Sequence, residues 1–339
     1  MAVGAAGAAG CGSGDGSPPP NQGSAIVSIG DSVASGEGNP APSGPRWESR
    51  ACHRSATAGQ TIAAREVQKQ HPEIGFLNYA CSGASIEKGL LKPYKGIEPA
   101  PFQPGRAQID QVRDAAALAK GSGGLAAVMI SIGANDVGFS NAVKFCDLVK
   151  RCWEKHFNPD FPFAQASARF PTLEDYVNAR LAELPERYDR LAAALDPLVP
   201  AERVIIVDYF DPTTAADGSD CTMLFGGVSP DESRWAREHV LQPLNARIES
   251  AAEDHDWRTV TGVAERFRGH GLCAGPQRWV RTLGEGLSGR PLPVGPGGVD
   301  FIHIRDVIAS TAGTLHPNEA GHRQIAALIT PVLAGVLNP

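Results

Sequence analysis

The chain has 339 residues, of which 42% are hydrophobic and 20% charged, and its formal net charge is -6 with a pI near 5.9. This composition is ordinary for a globular protein, and mild acidity with interleaved charges argues against nucleic acid as a partner. No stretch approaches the roughly 20 uninterrupted apolar residues of a membrane-spanning helix, so the sequence predicts no integral membrane protein.

The N-terminal segment, residues 1–23, has the composition of a leader and tether. Small residues precede Cys11, and a run rich in Gly, Ser and Pro follows it. This pattern is typical of a bacterial lipoprotein, with a lipid-accepting cysteine and a flexible tether; the alternative is a small-residue linker with an incidental cysteine. We therefore predict a tether over 1–23, a candidate lipidation site at Cys11 and one domain over 24–339.

Strands and helices alternate along that domain. A short apolar run over 24–29 that ends on Gly30 predicts a buried strand and a tight turn. Similar runs predict strands over 74–79, 125–132, 203–208 and 259–263. Helical spacing is present over about 57–70, 107–120, 172–195, 233–254 and 318–336. The alternation predicts an α/β fold, with a parallel sheet covered by helices on both faces.

Residues suited to acyl transfer follow the first three predicted strands. Ser32, Gly83 and Asn135 come just after these strands, at the sheet edge where ligands gather in open α/β folds. A serine hydroxyl needs a base to become a nucleophile, and His316 is the candidate. The backbone N–H groups of Ser32 and Gly83 and the side-chain amide of Asn135 are predicted to form an oxyanion hole.

Four sequence blocks resemble the SGNH hydrolases, also called GDSL-type esterases and lipases. The blocks are Gly30-Asp31-Ser32-Val33, Cys81-Ser82-Gly83-Ala84, Gly133-Ala134-Asn135-Asp136 and His316-Pro317-Asn318. They occur in the family's order and span most of the chain. The resemblance implies a flavodoxin-like three-layer sandwich around a parallel sheet, a Ser-His acyl-enzyme mechanism, and neither metal nor organic cofactor. The secreted actinobacterial branch of esterases, lipases and phospholipases is the most similar.

One position departs from the family pattern. The family commonly has an aspartate three residues before the histidine, and this chain has Gly313 there. We predict a Ser32-His316 dyad in which the backbone carbonyl of Gly313 orients the imidazole. The alternative is an aspartate from elsewhere, with Asp300 and Asp306 nearest in sequence.

Two other carboxylates and the remaining histidines are predicted to have supporting roles. Asp31 adjoins the nucleophile and is expected to brace its turn, and Asp136 to brace the loop that presents Asn135. His53 and His322 are expected to have structural roles.

Cysteine usage predicts disulfides. Of seven cysteines, the six other than Cys11 are spread over the body without the Cys/His clusters of a zinc site. Six cysteines allow about fifteen pairings, and the resemblance favours nearest neighbours, because members of the secreted branch carry three cysteine pairs. The predicted pairs are Cys52–Cys81, Cys146–Cys152 and Cys221–Cys273. Disulfides imply an oxidising compartment outside the cytoplasm; the alternative is free thiols in a cytosolic enzyme.

The predicted function is hydrolysis of carboxylic acyl esters, by an esterase, lipase or phospholipase. The alternatives are a carbohydrate O-acetyl esterase of the same fold and a non-catalytic surface-binding protein. The predicted partner is a small-molecule or lipid ester, without nucleic acid. The protein is expected to be a monomer, secreted or held at the bacterial cell surface through Cys11.

Overall fold

The computed structural model describes residues 23–40, 47–97, 104–160, 169–222, 228–282, 285 and 313–338. The candidate lipidation site Cys11 and the two alternative aspartates, Asp300 and Asp306, lie outside these residues.

One parallel sheet forms the centre of the described structure. Its strands are β1 (Ala25–Gly30), β2 (Gly75–Asn78), β3 (Ala127–Ser131), β4 (Val204–Val207) and β5 (Arg258–Val260). They lie in the order β2-β1-β3-β4-β5, and each neighbouring pair is parallel. All five predicted strands form. The last is shorter than the predicted 259–263, because Gly262 turns the backbone to a φ of 78° and begins a helix.

Helices fill the intervals between the strands. They are α1 (Ser32–Ser35), α2 (Gly59–Gln68), α3 (Gln108–Ala119), α4 (Phe139–Leu148), α5 (Leu173–Leu195), α6 (Pro230–Trp235), α7 (Gln242–Asp254), α8 (Val263–Arg266) and α9 (Glu319–Leu337). The predicted helix over 233–254 begins earlier, at a capping box of Ser229 and Glu232, and contains a π-helical segment, Ala236–Leu241. This segment ends next to Pro243, which has no N–H for an α-helical bond.

The three central strands of the sheet are buried on both faces. Every residue of β1, β3 and β4 is buried, α2 packs against α9, and α5 packs against α7. By length and composition alone, α9 could cross a membrane. Its buried residues, including Ile325, Ile329 and Leu333, recur at helical spacing, and packing on α2 accounts for them.

The three predicted disulfides are formed: Cys52–Cys81, Cys146–Cys152 and Cys221–Cys273. They fit a protein of an oxidising compartment outside the cytoplasm. The first joins the segment after α1 to the end of β2, where Ser82 donates its backbone N–H to the Cys52 carbonyl at 3.0 Å.

The sheet order has its switch point between β1 and β3. The chain leaves β1 toward β2 on one side, whereas β3 is followed by β4 on the other. In doubly wound sheets this switch point is where ligands bind, at the carboxyl ends of the strands. Ser32 and Asn135 follow these two ends.

Candidate active site

Ser32 is the first residue of α1, directly after β1. The carboxylate of Asp31 caps this turn by accepting the Val33 N–H at 3.0 Å. Gly30 has a φ of 138°, and a Cβ there would overlap the carbonyl oxygen of Ser131 on β3. Glycine therefore allows the nucleophile turn to lie close against β3.

Asp31 also connects the nucleophile turn to the third block. It is fully buried and accepts a hydrogen bond from the Tyr209 hydroxyl, which in turn accepts the Ala134 N–H at 3.2 Å. Burial raises the pKa of Asp31 to about 7, against the lowering effect of the Tyr209 hydrogen bond. Tyr209 follows β4, and no feature of the sequence linked it to the site.

The three predicted oxyanion donors lie at the ends of β1, β2 and β3. Within the described part of the chain, the backbone N–H groups of Ser32 and Gly83 donate no hydrogen bond. Asn135 donates one side-chain N–H to the Ala84 carbonyl at 2.8 Å, which holds its amide beside the Gly83 segment. Gly83 has a φ of 80°, and a Cβ there would collide with the Tyr94 hydroxyl. These N–H groups are available to an oxyanion.

Asp136 fastens the Asn135 loop to its surroundings. Its buried carboxylate accepts the Ile86 N–H at 3.0 Å and a hydrogen bond from Arg187 of α5 at 2.8 Å. Burial raises the pKa of Asp136, and the Arg187 guanidinium opposes that rise. Arg187 was missed in the sequence because it lies on a helix with many other charged residues.

His316 lies in the loop before α9, where backbone contacts hold it near the nucleophile loop. A Cβ on Gly38 would lie 3.0 Å from the His316 Cβ. The Arg281 N–H donates to the His316 carbonyl at 2.8 Å, and Leu315 donates to the Arg281 carbonyl at 3.0 Å. Arg281 also donates a side-chain hydrogen bond to the Gly38 carbonyl at 2.9 Å.

The predicted partner of the His316 ring is wrong. Nδ1 of His316 lies 3.0 Å from the carbonyl oxygen of Thr314. The Gly313 carbonyl instead accepts the backbone N–H of His316 at 3.2 Å. This bond closes a tight turn over residues 313–316, in which Leu315 has a φ of 64°. Since a carbonyl only accepts, the proton of a neutral ring lies on Nδ1, and Nε2 keeps its lone pair.

Electrostatics favour the neutral form of His316. Burial lowers its pKa most strongly, the negative charge of Glu37 raises it, and His53 and Arg281 lower it. A neutral imidazole is the form that accepts a proton.

A second buried cluster adjoins this histidine. The Glu37 carboxylate, with the residue only 2% exposed, accepts a hydrogen bond from Ser82 at 2.7 Å and bonds Nδ1 of His53 at 2.9 Å. The His53 ring stacks on Trp47 with centroids 4.6 Å apart. The sequence pattern did not indicate Glu37, and His53 was predicted to have a structural role. Its one sequence signal is a charged residue beside glycines, Gly36 and Gly38, just after the nucleophile.

Among the residues that the structure describes, no group of three or more His, Cys, Asp or Glu side chains could hold a metal ion.

Comparison with known proteins gives one family and several relatives. The model of the GDSL-like lipase/acylhydrolase family matches residues 28–324. A lipase of Streptomyces rimosus is 26% identical over 79% of this chain and 80% of its own length. Lipase 1 of Streptomyces coelicolor is 27% identical over 80% and 82%.

Two solved structures have the same fold. The extracellular lipase of Streptomyces rimosus superposes with a TM-score of 0.57 at 21% identity, over 92% of this chain and 99% of its own. Phospholipase A1 of Streptomyces albidoflavus superposes with a TM-score of 0.55 at 20% identity, over the same shares. These relatives agree with the predicted likeness to the actinobacterial branch.

Proposed function

The chain belongs to the GDSL-like lipase/acylhydrolase family and is a carboxylic ester hydrolase, and from this premise we propose that Ser32 is its nucleophile and His316 its general base. One observation carries the assignment. Ser32, the unpaired N–H of Gly83 and the Asn135 amide lie at the same edge of the sheet. Contacts through Gly38 bring the His316 loop to the same place.

Hydrolysis proceeds in two acyl-transfer steps. In the first, Ser32 Oγ attacks the ester carbonyl while Nε2 of His316 takes the hydroxyl proton. The tetrahedral oxyanion accepts hydrogen bonds from the N–H groups of Ser32 and Gly83 and from the free N–H of Asn135. Collapse breaks the ester bond, and the imidazolium gives its proton to the departing alkoxide, which leaves as the alcohol.

In the second step, water attacks the acyl-enzyme as His316 again takes a proton, and the acid is released as that proton returns to Ser32. Throughout the cycle the Thr314 carbonyl keeps the Nδ1–H in place. A carbonyl dipole orients the ring but stabilises the imidazolium less than a carboxylate does.

Replacing Ser32 with Ala tests the assignment. We expect Ser32→Ala to lose hydrolysis of p-nitrophenyl acetate and labelling by a fluorophosphonate, because no oxygen remains to be acylated. Ser140→Ala, which removes an exposed serine on α4, is the matched control and should keep both. Turnover retained in Ser32→Ala would refute the nucleophile assignment, and absence of labelling in the wild type would favour the non-catalytic binding protein.

For the substrate we propose acyl esters of the lipid or aliphatic type. Support comes from two relatives named lipases and from a structural neighbour named phospholipase A1. Rates across p-nitrophenyl esters from acetyl to palmitoyl, with phosphatidylcholine and acetylated xylan alongside, test this class. Activity should persist on medium or long chains. A sharp decline beyond acetyl, with acetate released from xylan, would favour the carbohydrate O-acetyl esterase.

We further propose that the protein is exported as a monomer and is held at the membrane surface by a lipid on Cys11. The disulfides support export, and the small residues before Cys11 support lipidation. Expression in a bacterial host with a labelled fatty acid tests the anchor. Label should enter the wild type and be lost in Cys11→Ser; equal labelling of both would contradict it.

A further inference from the structure

The nucleophile loop carries a buried carboxylate beside the position where the family pattern has its aspartate. We propose that Glu37 is a positioning residue for His316, whose fixed negative charge stabilises the imidazolium in place of the aspartate that Gly313 replaces. The inference rests on the proposed roles of Ser32 and His316.

Packing places Glu37 next to the histidine turn. A Cβ on Gly313 would lie 3.4 Å from Glu37 Oε1 and 3.0 Å from Gly38 Cα. Gly38 in turn packs on His316, as its own Cβ would lie 3.0 Å from the His316 Cβ. The backbone N–H of Glu37 donates to the Ser32 carbonyl at 2.9 Å. Glu37 thus lies on the segment that joins the nucleophile to the base.

The same packing explains why an aspartate is unsuited to position 313. The φ of 94° disfavours any side chain with a Cβ, and that Cβ would crowd Gly38. A carboxylate built on it would also start beside the Glu37 carboxylate, and two like charges at such a distance repel. One carboxylate fits at this place, and in this chain it comes from Glu37.

Hydrogen bonds keep Glu37 ionised although it is buried. Burial alone would raise its pKa, but bonds from His53 and Ser82 and the charges nearby hold the pKa below its usual value. The Ser82 hydroxyl also lies 2.9 Å from the Ser35 hydroxyl, so the carboxylate is fixed to both the nucleophile loop and the second block. A charge fixed in a medium of low dielectric acts strongly on its neighbours.

Four titratable or charged groups act with His316, and their effects differ. The Glu37 anion raises the pKa of His316, whereas Arg281 and His53 lower it. His322 has a pKa lowered to about 4 by burial, and its Nδ1 accepts the Gly59 N–H at 3.1 Å, so it is neutral at the pH of the assay. Glu37 is therefore the group in this set that favours the imidazolium.

The pH profile of kcat/KM tests the proposal. The free enzyme is active when His316 is neutral, so activity rises with pH through the pKa of His316. Glu37→Gln removes the anion, which lowers that pKa. We expect the acidic limb to move to lower pH by about one unit. We also expect the plateau of kcat to fall about tenfold to a hundredfold, a smaller loss than removal of an aspartate bonded directly to the histidine causes. Glu37→Asp keeps the charge but draws it back by one methylene, so it should move the limb to lower pH by less than Glu37→Gln does and keep more of kcat.

Asp211→Asn is the control for a merely structural effect. Asp211 is a buried carboxylate that accepts the Thr213 N–H at 2.7 Å, and its loss should lower the melting temperature without moving the limb. The proposal is overturned if the acidic limb of Glu37→Gln stays in place or moves to higher pH. It is also overturned if the acidic limb of Asp211→Asn moves by as much as that of Glu37→Gln.

The test still works if Glu37→Gln fails to fold, and it separates failure of the Glu37 inference from failure of the proposed function. If Glu37→Gln does not fold, wild type is compared with Glu37→Asp, whose carboxylate is drawn back by one methylene. A smaller move to lower pH then supports the proposal, and an unmoved limb overturns it. Activity retained by Ser32→Ala would refute the proposed function itself, whereas an inactive Ser32→Ala with an unmoved Glu37→Gln limb refutes the Glu37 inference alone.

Discussion

The nucleophile half of the site (residues 30–38, 83–86 and 133–136) is fixed largely by buried polar side chains, whereas the histidine half (residues 279–282 and 313–318) is fixed largely by its backbone. In the first half, the carboxylates of Asp31 and Asp136 each accept two or more hydrogen bonds from separate segments. In the second, the Arg281 backbone donates to the His316 carbonyl and accepts the Leu315 N–H. The histidine half therefore depends on close backbone approach, and its nearby carboxylate, Glu37, belongs to the nucleophile half.

The largest effect should come from the base itself. His316→Ala is expected to lower kcat on the order of 10⁴- to 10⁶-fold, because the variant lacks the base proposed to take the Ser32 proton. The melting temperature should change little, since backbone bonds hold this loop. Kinetics and thermal unfolding are compared with His156→Ala, which removes an exposed histidine. A loss below about tenfold would show that another base serves Ser32.

Removing one oxyanion donor should cost less. Asn135→Ala is expected to lower kcat about 10²- to 10³-fold with little change in KM, because its N–H acts on the charge that develops in the transition state. Steady-state kinetics on p-nitrophenyl acetate measures this. An unchanged kcat would remove Asn135 from the oxyanion hole.

Close backbone approach in the histidine half is tested by a single methyl group. Gly313→Ala adds a Cβ 3.0 Å from Gly38 Cα at positive φ and should lower kcat about tenfold or more, with a stability loss on the order of 1–3 kcal/mol. Gly262→Ala also has positive φ, but a Cβ there meets nothing within 4 Å. It should therefore lose stability and keep activity. Equal loss of activity in both variants would contradict this account.

The last prediction concerns the pH dependence of stability at Asp31, with no change in turnover required. Its folded pKa of about 7 exceeds the ordinary 3.8, so the folded state binds more protons between these values. The contribution of Asp31 to the free energy of unfolding is therefore greatest below about pH 4. It falls as the pH rises to 7, by on the order of 4 kcal/mol at most. Asp31→Asn should flatten this part of the profile, measured by urea unfolding from pH 4 to 8. A wild-type minus variant difference that grows with pH would refute it.

Local patterns predicted the strands of the sheet well. Apolar runs marked β1, β3 and β4, whose residues are all buried, because a strand buried on both faces is largely apolar. Strands β2 and β5 are partly exposed and have a weaker apolar pattern. The sequence pattern did not predict helix α4. This helix begins at Gly138 with a φ of 75° and lacks a side-chain cap, so it carries no start signal.

Partners from distant segments could not be predicted in the same way. Tyr209 lies 178 residues from Asp31, and Arg187 lies 51 residues from Asp136. Neither pair has a local pattern, since a buried hydrogen bond requires only that two chain segments meet. The sequence also led to the wrong acceptor for the His316 ring, Gly313 instead of Thr314. The acceptor depends on backbone dihedral angles, which the sequence does not reveal.

Local hydrophobic spacing and short motifs in the sequence predict most of the order of strands and helices and the residue types at the ends of β1, β2 and β3. The carbonyl that orients His316 and the carboxylate beside the histidine turn follow instead from tertiary packing. Those contacts depend on how Gly38 and Gly313 pack, and that packing is set by loops that meet across nearly the whole length of the chain.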